Sequence, residues 1–391
     1  MVYLTQFLQW ELSETIQKAL IKNQFVSATE IQQLAIPKLL AGVDLLGIAQ
    51  TGTGKTAAFA LPMIQRLSTP KLKAKPARMR ALVLAPTREL AHQIEETFKT
   101  FGKSSLLKIF SIYGGVGHCP QIAAMAKGLD VLVATPGRLL DLIKQGHIFF
   151  DQLEVFVLDE ADKMLDMGFI HDVQKIIDLL PVKKQGLLFS ATMNEAVIKL
   201  ANNFLTNPTM INIAPQGTIA DKVVHTLLPV EKSHKPQLLK ELMKKKSFRK
   251  VLVFSRTKHG ADRIVRHLQK EEISAAAIHG NKSQGARDRA IKYFKRDKIR
   301  VLVATDIAAR GIDIPGISHV INYDLPNEAE NYIHRIGRTA RAEKSGKALS
   351  FYDLSEFEKL QAIENALAQK IAIDTTHPLY GVPAVWQKIK K

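Results

Sequence analysis

Three short stretches carry residue types that do chemistry on phosphates. The first, "LLGIAQTGTGKTAAF" (45–59), reads as an apolar strand, a glycine-rich turn and the start of a helix. Gly52 and Gly54 let the backbone curl so that its N–H groups converge on phosphate oxygens. Lys55 can reach the β and γ phosphates, and Thr56 can offer its hydroxyl to Mg2+. Ala49 stands where the general phosphate-loop pattern has glycine. The glycines alone fit any tight strand-to-helix turn; with the Lys-Thr pair they point to nucleotide binding. The second stretch, "VFVLDEADKML" (155–165), delivers Asp159 to the end of a buried strand, where it can hold Mg2+ through water. Glu160 can then orient and deprotonate an attacking water. Taken alone, this stretch also fits an acidic helix N-terminus stabilised by the helix dipole. The third, "YIHRIGRTAR" (332–341), spaces Arg335, Arg338 and Arg341 by three, so that on a helix they share roughly one face. A solvated basic helix has the same look, but phosphoryl transfer needs such charge: an arginine on the γ-phosphate is worth roughly 10³–10⁵ in rate. The second half has no glycine-lysine loop, so the chain is expected to hold one nucleotide site, split between its halves.

The elements that must position these residues show a rhythm. Short runs rich in Val, Ile and Leu alternate with longer segments of helical period, the mark of βαβ units and parallel sheets buried on both faces. The rhythm runs twice. "VLVAT" occurs at Val131–Thr135 and again at Val301–Thr305, and the same interval separates "ALVL" at Ala81 from "VLVF" at Val251. "IYGG" at Ile112 answers "IHGN" at Ile278 at nearly that interval. A series of strands at matching spacing predicts an α/β protein of two similar domains, each a mostly parallel sheet flanked by helices, with a cleft between them. The expected division is a first domain over 1–208, a linker over 209–222, a second domain over 223–373 and a short basic tail over 374–391.

Composition agrees. The chain has 391 residues, beyond the ~250–300 at which single cores stop growing, so two domains are expected. It is 46% hydrophobic and 24% charged, as in ordinary globular proteins. Lys and Arg number 55 against 37 acids, a formal +18 that points to a polyanionic partner, nucleic acid first. Cys119 is the sole cysteine, which excludes an internal disulfide and a cysteine-rich zinc site and fits a reducing compartment. No apolar run approaches the ~18 residues that span a bilayer, and "MVYLTQFLQWELSET" lacks the pattern of a secretory signal. A cytoplasmic location is expected. The basic run "KKKSFRK" (244–250) lies between a helix and a buried strand and reads as a solvated loop.

The motifs and their order resemble those of the DEAD-box ATP-dependent RNA helicases of superfamily two, most of all the bacterial RhlE-type members. The resemblance runs from Phe7 to about Leu367. It rests on "AQTGTGKT" (49–56), "PTRELA" (86–91), "GG" (114–115), "TPGR" (135–138), "DEAD" (159–162), "SAT" (190–192), "VFSRT" (253–257), "QGAR" (284–287), "ATDIAARGID" (304–313) and "HRIGRTAR" (334–341). Ala49 is the family's usual residue. The resemblance implies two tandem RecA-like domains, ATP and Mg2+ as cofactors, and RNA as partner.

Carried onto this sequence, the resemblance implies the following roles. Gln50, Thr51, Gly52, Thr53, Gly54, Lys55 and Thr56 cradle the phosphates, with Thr56 and Asp159 on Mg2+. Phe25 stacks on adenine and Gln32 bonds its edge; Thr29 and the upstream Phe7 belong to the same segment and are implied to bind the nucleotide with it, and Asp313 contacts the ribose. Gln24 and Ala28 depart from the family's usual glycine and proline, and Ala340 from its usual glycine. Arg338 and Arg341 are the arginine fingers, and Ser190, Thr192, Asp162 and His334 couple hydrolysis to strand separation. RNA is held by Pro86, Thr87, Arg88, Gly114, Gly115, Thr135, Pro136, Gly137 and Arg138 in the first domain. In the second it is held by Arg256, Gly280, Gln284, Arg287, Thr305 and Asp306. Helix N-termini, hydroxyls and arginines at strand ends bind phosphates without reading bases, so sequence-independent binding with strong salt dependence is expected. The expected function is that of a monomeric RNA-dependent ATPase that locally opens short RNA duplexes. A DNA translocase on the same core and a non-catalytic RNA clamp are the alternatives.

Overall fold

The computed structural model describes residues 5–50, 52–68, 73–213, 223–309, 314, 316–339, 346–377 and 379. The chain divides into two compact units, Met1–Pro215 and Gln216–Lys391, which are taken in turn.

The first unit is built on a sheet of seven strands: β1 (Leu45–Ile48), β2 (Met79–Leu84), β3 (Ile109–Ile112), β4 (Leu129–Ala134), β5 (Val155–Leu158), β6 (Gln185–Ser190) and β7 (Thr209–Asn212). Their order across the sheet is β3-β4-β2-β5-β6-β1-β7, and every pairing is parallel. Parallel strands need crossover connections, and the intervening helices cover both faces. Side chains therefore alternate between two cores. Ala81, Val83, Val131 and Val133 join one, and Leu82, Leu84, Leu132 and Ala134 the other.

The second unit repeats the plan. Its strands are β8 (Val223–Pro229), β9 (Val251–Phe254), β10 (Ala275–Ile278), β11 (Val301–Ala304), β12 (His319–Asn322), β13 (Gly346–Tyr352) and β14 (Ala372–Ile373). The order is β10-β11-β9-β12-β13-β8-β14, all parallel, which is the first sheet's permutation strand for strand. The twin "VLVA" runs occupy equivalent places in equal register: Val131 pairs with Ala81, and Val301 with Val251. Even a cap is repeated. Thr87 accepts from Leu90 N at 3.2 Å after β2, and Thr257 accepts from Gly260 N at 3.0 Å after β9. The chain thus holds two tandem RecA-like domains.

Two stretches differ from expectation. The expected linker, 209–222, begins as β7, an edge strand paired to β1 with Ile211 turned into the core. Four residues with one buried side chain are too short to show a period in sequence. Residues 214–222 lie outside the described residues. The expected tail begins packed: Asp374 N donates to Leu227 O at 2.9 Å, and His377 is buried. The run 244–250 is the end of a helix and an exposed loop, apart from buried Phe248 and Lys250. Among the described residues, no helix is long and apolar enough to cross a membrane.

Candidate functional site

Because all strands of a sheet are parallel, their C-terminal ends share one edge, the place where α/β sheets hold ligands. In the first unit that edge gathers the loops after β1, β2, β3, β4, β5 and β6, which is every motif of that half.

After β1, Gly52 and Gly54 adopt φ of 91° and 97°, which side chains of L-residues rarely tolerate. Gly54 opens the helix Lys55–Leu67. A Cβ there would lie 2.5 Å from Gln32 Nε2 and 2.9 Å from Thr29 Oγ1. The Gln32 amide donates to Gly54 O at 3.2 Å, and its Oε1 accepts from Thr29 N at 3.0 Å. The segment implied to read adenine is thus fastened to the phosphate loop. Thr53 closes the loop by donating to Gln50 O at 2.8 Å. Lys55 is buried, and its Nζ has no hydrogen-bond partner. Thr51 lies outside the described residues.

Phe25 follows the helix Glu14–Lys22, which ends in a Schellman turn: Phe25 N donates to Leu20 O and Gln24 N to Ile21 O, both at 3.0 Å. Gln24 takes the left-handed position with φ 59°, which explains the family's preference for glycine there. Phe25 is half-buried and meets Phe101 edge-on at 5.1 Å. Phe7 differs from its implied role. It is fully buried, edge-on to Trp10 at 5.4 Å, and so anchors the segment from inside without facing a ligand.

After β5, Asp159 is 1% exposed, and its Oδ1 has no hydrogen-bond partner. Burial pushes its carboxyl up to about 6, against the pull of the Lys55 ammonium and with a push from Glu160. Glu160 adopts φ 55° and ψ 51°, a strained left-handed conformation, and caps the helix Ala161–Asp166. Its Oε1 lies 2.7 Å from Lys163 Nζ, with both side chains 4% exposed. Lys163 was absent from the sequence-derived site, although an acid and a lysine three apart at a helix start are a readable pair. Asp162 Oδ2 accepts from Ala191 N at 3.0 Å, Thr192 N at 3.1 Å and Thr192 Oγ1 at 3.4 Å. Ser190 Oγ is buried without a partner and does not join this network.

The loops after β2, β3 and β4 gather cationic and N–H groups. Pro86 is buried beneath the cap Thr87. Gly115, at φ 76°, sits under the Arg88 guanidinium: a Cβ would fall 2.3 Å from its NH1. Gly114 also lies beneath that group. Thr135, Pro136 and Gly137 open the helix Pro136–Lys144. Arg138 is buried; its NH2 donates to Val116 O at 3.2 Å, while Nε and NH1 have no partner. Donors held this way suit phosphate oxygens.

In the second unit, Arg256 and Gly280 are exposed at the ends of β9 and β10. Gln284 and Arg287 lie on the first turn of the helix Gln284–Lys295, 3.4 Å apart. Thr305 is half-buried ahead of the helix Asp306–Ala309. Asp306 is held within the unit. Arg335 Nε and NH2 reach its two oxygens at 2.6 and 2.7 Å, so the carboxylate is occupied inside the unit. Arg335 also donates to Asn322 Oδ1 at 3.2 Å and Asp324 O at 2.7 Å, and lies 4.9 Å over the Phe254 ring. Of the three evenly spaced arginines, Arg335 is therefore a structural strut. His334 and Arg338 line a small cavity beside it. Arg341 and Asp313 lie outside the described residues.

Comparison with known proteins adds the following. The DEAD/DEAH box helicase model matches residues 29–200, and the helicase conserved C-terminal domain model matches 234–343. The ATP-dependent RNA helicase CshA of Listeria monocytogenes is 40% identical over 368 residues, 94% of this chain and 70% of that protein. The DEAD-box ATP-dependent RNA helicase RhpA of Helicobacter pylori is 41% identical over 374 residues, 96% of this chain and 74% of that one. Among solved structures, S. cerevisiae Dbp5 bound to RNA and ADP BeF3 matches with a TM-score of 0.80 at 31% identity, covering 98% of this chain and 97% of that one.

Proposed function

Since the chain belongs to the DEAD-box ATP-dependent RNA helicases, we propose that its chemistry is carried by the groups gathered at the two strand-end edges. The protein is an ATP hydrolase that acts on RNA. Lys55 and the N–H groups of the Gly52–Gly54 turn hold the β and γ phosphates. Glu160 takes a proton from the water that attacks the γ-phosphorus, the bond to the bridging oxygen breaks, and ADP and phosphate leave. Arg338, with Arg341 in the same motif, meets the charge that develops on the γ-phosphoryl oxygens. Phe25 and Gln32 receive the adenine.

Thr56 and Asp159 fit Mg2+, which keeps most of its waters and takes only one or two protein oxygens. The buried, unpartnered Oδ1 of Asp159 supports that fit. When bound, the ion neutralises phosphate charge. RNA binds through Thr87, Arg88, Gly114, Gly115 and the 135–138 turn in one unit, and through Arg256, Gly280, Gln284, Arg287 and Thr305 in the other. ATP and RNA together draw both units onto one strand, bending it so that its partner strand is released; Asp162, Thr192 and His334 link that step to hydrolysis. One chain suffices, because both sets of groups lie on it. Within the family we place the protein with the bacterial RhlE-type members, on the motif series from "AQTGTGKT" to "HRIGRTAR".

The observation that carries this reading is the buried pair Lys55 and Asp159, a cation and an anion at one strand edge with Nζ and Oδ1 both lacking hydrogen-bond partners. Glu160→Gln tests it. ATP affinity should stay near that of the parent while turnover is abolished; turnover that survives would remove Glu160 as the base.

A further inference from the structure

Glu160 sits at a sharp corner where β5 turns into the helix Ala161–Asp166, and its backbone is held in a left-handed conformation. A glutamate has three side-chain torsions, so backbone placement alone leaves its carboxylate free to swing by several ångströms. A base must stay within about 3 Å of the water it deprotonates. Something must fix the far end of the side chain. Lys163 is placed to do so: its Nζ lies 2.7 Å from Glu160 Oε1, and both side chains are 4% exposed. At that burial the ion pair is little screened by solvent, and it is more than the exposed i,i+3 pair of an ordinary helix.

Lys163 has a second attachment. Its backbone N–H donates to Asp162 Oδ1 at 3.0 Å, and the other oxygen of Asp162 holds Ala191 N and Thr192 N. One continuous path therefore runs from the carboxylate of Glu160, through Lys163 and Asp162, to the backbone that follows β6.

We propose that Lys163 is the positioning residue of the water-activating carboxylate: its ammonium fixes the carboxylate of Glu160 and ties it, through Asp162, to the segment after β6. This rests on Glu160 being the base, as proposed above. Lys163 touches neither ATP nor RNA in this role, so its loss acts on the chemical step and spares binding.

The test compares Lys163→Met and Lys163→Arg with the parent in steady-state ATP hydrolysis at saturating RNA, alongside thermal unfolding. Met keeps the bulk and apolar stem, and Arg keeps the charge. Lys163→Met is expected to lower kcat by about 10–100-fold, as misplacing a reacting group by about an ångström does. The KM for ATP and the Kd for RNA should stay within about threefold, since no binding contact is removed. Lys163→Arg should recover most of kcat. A folded Lys163→Met enzyme with the parent's kcat overturns the proposal, as does a folded Lys163→Arg enzyme as slow as Lys163→Met. If Lys163→Met does not fold, Lys163→Gln takes its place under the same criteria. Glu160→Gln separates the two readings: turnover surviving there defeats the choice of base, whereas turnover lost there and unchanged in Lys163→Met defeats only the role of Lys163.

Discussion

Replacing Gln24 with glycine should make the protein more stable. Gln24 is the left-handed residue of the Schellman turn that ends the helix Glu14–Lys22, at φ 59°. An L-residue in that conformation costs roughly 1–2 kcal/mol, and glycine bears none of it. The unfolded chain is freer with glycine, which returns roughly 0.4–1 kcal/mol of the gain. At the middle of both ranges a net stabilisation of about 0.8 kcal/mol remains. For a unit of 150–250 residues, 1 kcal/mol moves Tm by roughly 2–4 °C, so the first unit should melt about 1–4 °C higher. Scanning calorimetry reads this directly. Gln24→Val is the control, since a β-branched residue tolerates positive φ worst and should lower Tm. The KM for ATP should change little in Gln24→Gly, because Phe25 N already donates to Leu20 O and the turn is already formed. A Gln24→Gly protein that melts below the parent, or no lower Tm in Gln24→Val, would refute the assignment of strain to this residue.

Gly115→Ala should displace Arg88, since its Cβ would fall 2.3 Å from the guanidinium at a φ of 76°; RNA affinity by fluorescence anisotropy should drop, while ATP affinity without RNA is kept. Arg335→Ala and Arg338→Ala should separate by assay. The first removes a buried cation from Asp306 and should destabilise the second unit by about 3–5 kcal/mol in urea unfolding. The second should fold and lose roughly 10³-fold or more in ATP turnover. Acid should weaken the first unit in part through Glu95. Burial pushes its carboxyl up, but the nearby His92 imidazole, the Lys99 ammonium and the hydroxyl of Ser111, which donates to it, outweigh burial and hold it at about 2. The group is depressed in the folded state, so its stabilisation is present above the unfolded value near 4.5 and fades as pH falls toward 2. Glu95→Gln should be less stable than the parent by about 1–3 kcal/mol at neutral pH, with the gap closing below pH 4.5.

The repeated sheet was legible because buried parallel strands write continuous apolar runs, and β4 and β11 write the same one. The edge strands β7 and β14 were not, since β7 buries one of its four residues and β14 neither of its two, so no apolar run marks them. The phosphate loop was legible because glycine, lysine and threonine each do there what few other residues can. The arginines were legible as a set only. Even spacing placed Arg335 beside Arg338, but the group that occupies Arg335 is Asp306, 29 residues away in sequence, and no local pattern announces that bond. The implied place of Phe7 likewise failed on tertiary packing, which turns its ring inward onto Trp10. Lys163 was within reach, three residues after Glu160, but charge spacing does not reveal that the pair is buried.

The RNA dependence of hydrolysis is the core of the proposed function. Its most direct test is steady-state ATP turnover by the whole protein, measured without nucleic acid, with single-stranded RNA and with DNA of the same sequence. Turnover should be slow alone, rise steeply with RNA by an amount that falls as salt increases, and respond little to DNA, which lacks the 2′-hydroxyl. Turnover equal with and without RNA would contradict it, and an equal response to DNA would move the protein to the DNA translocases.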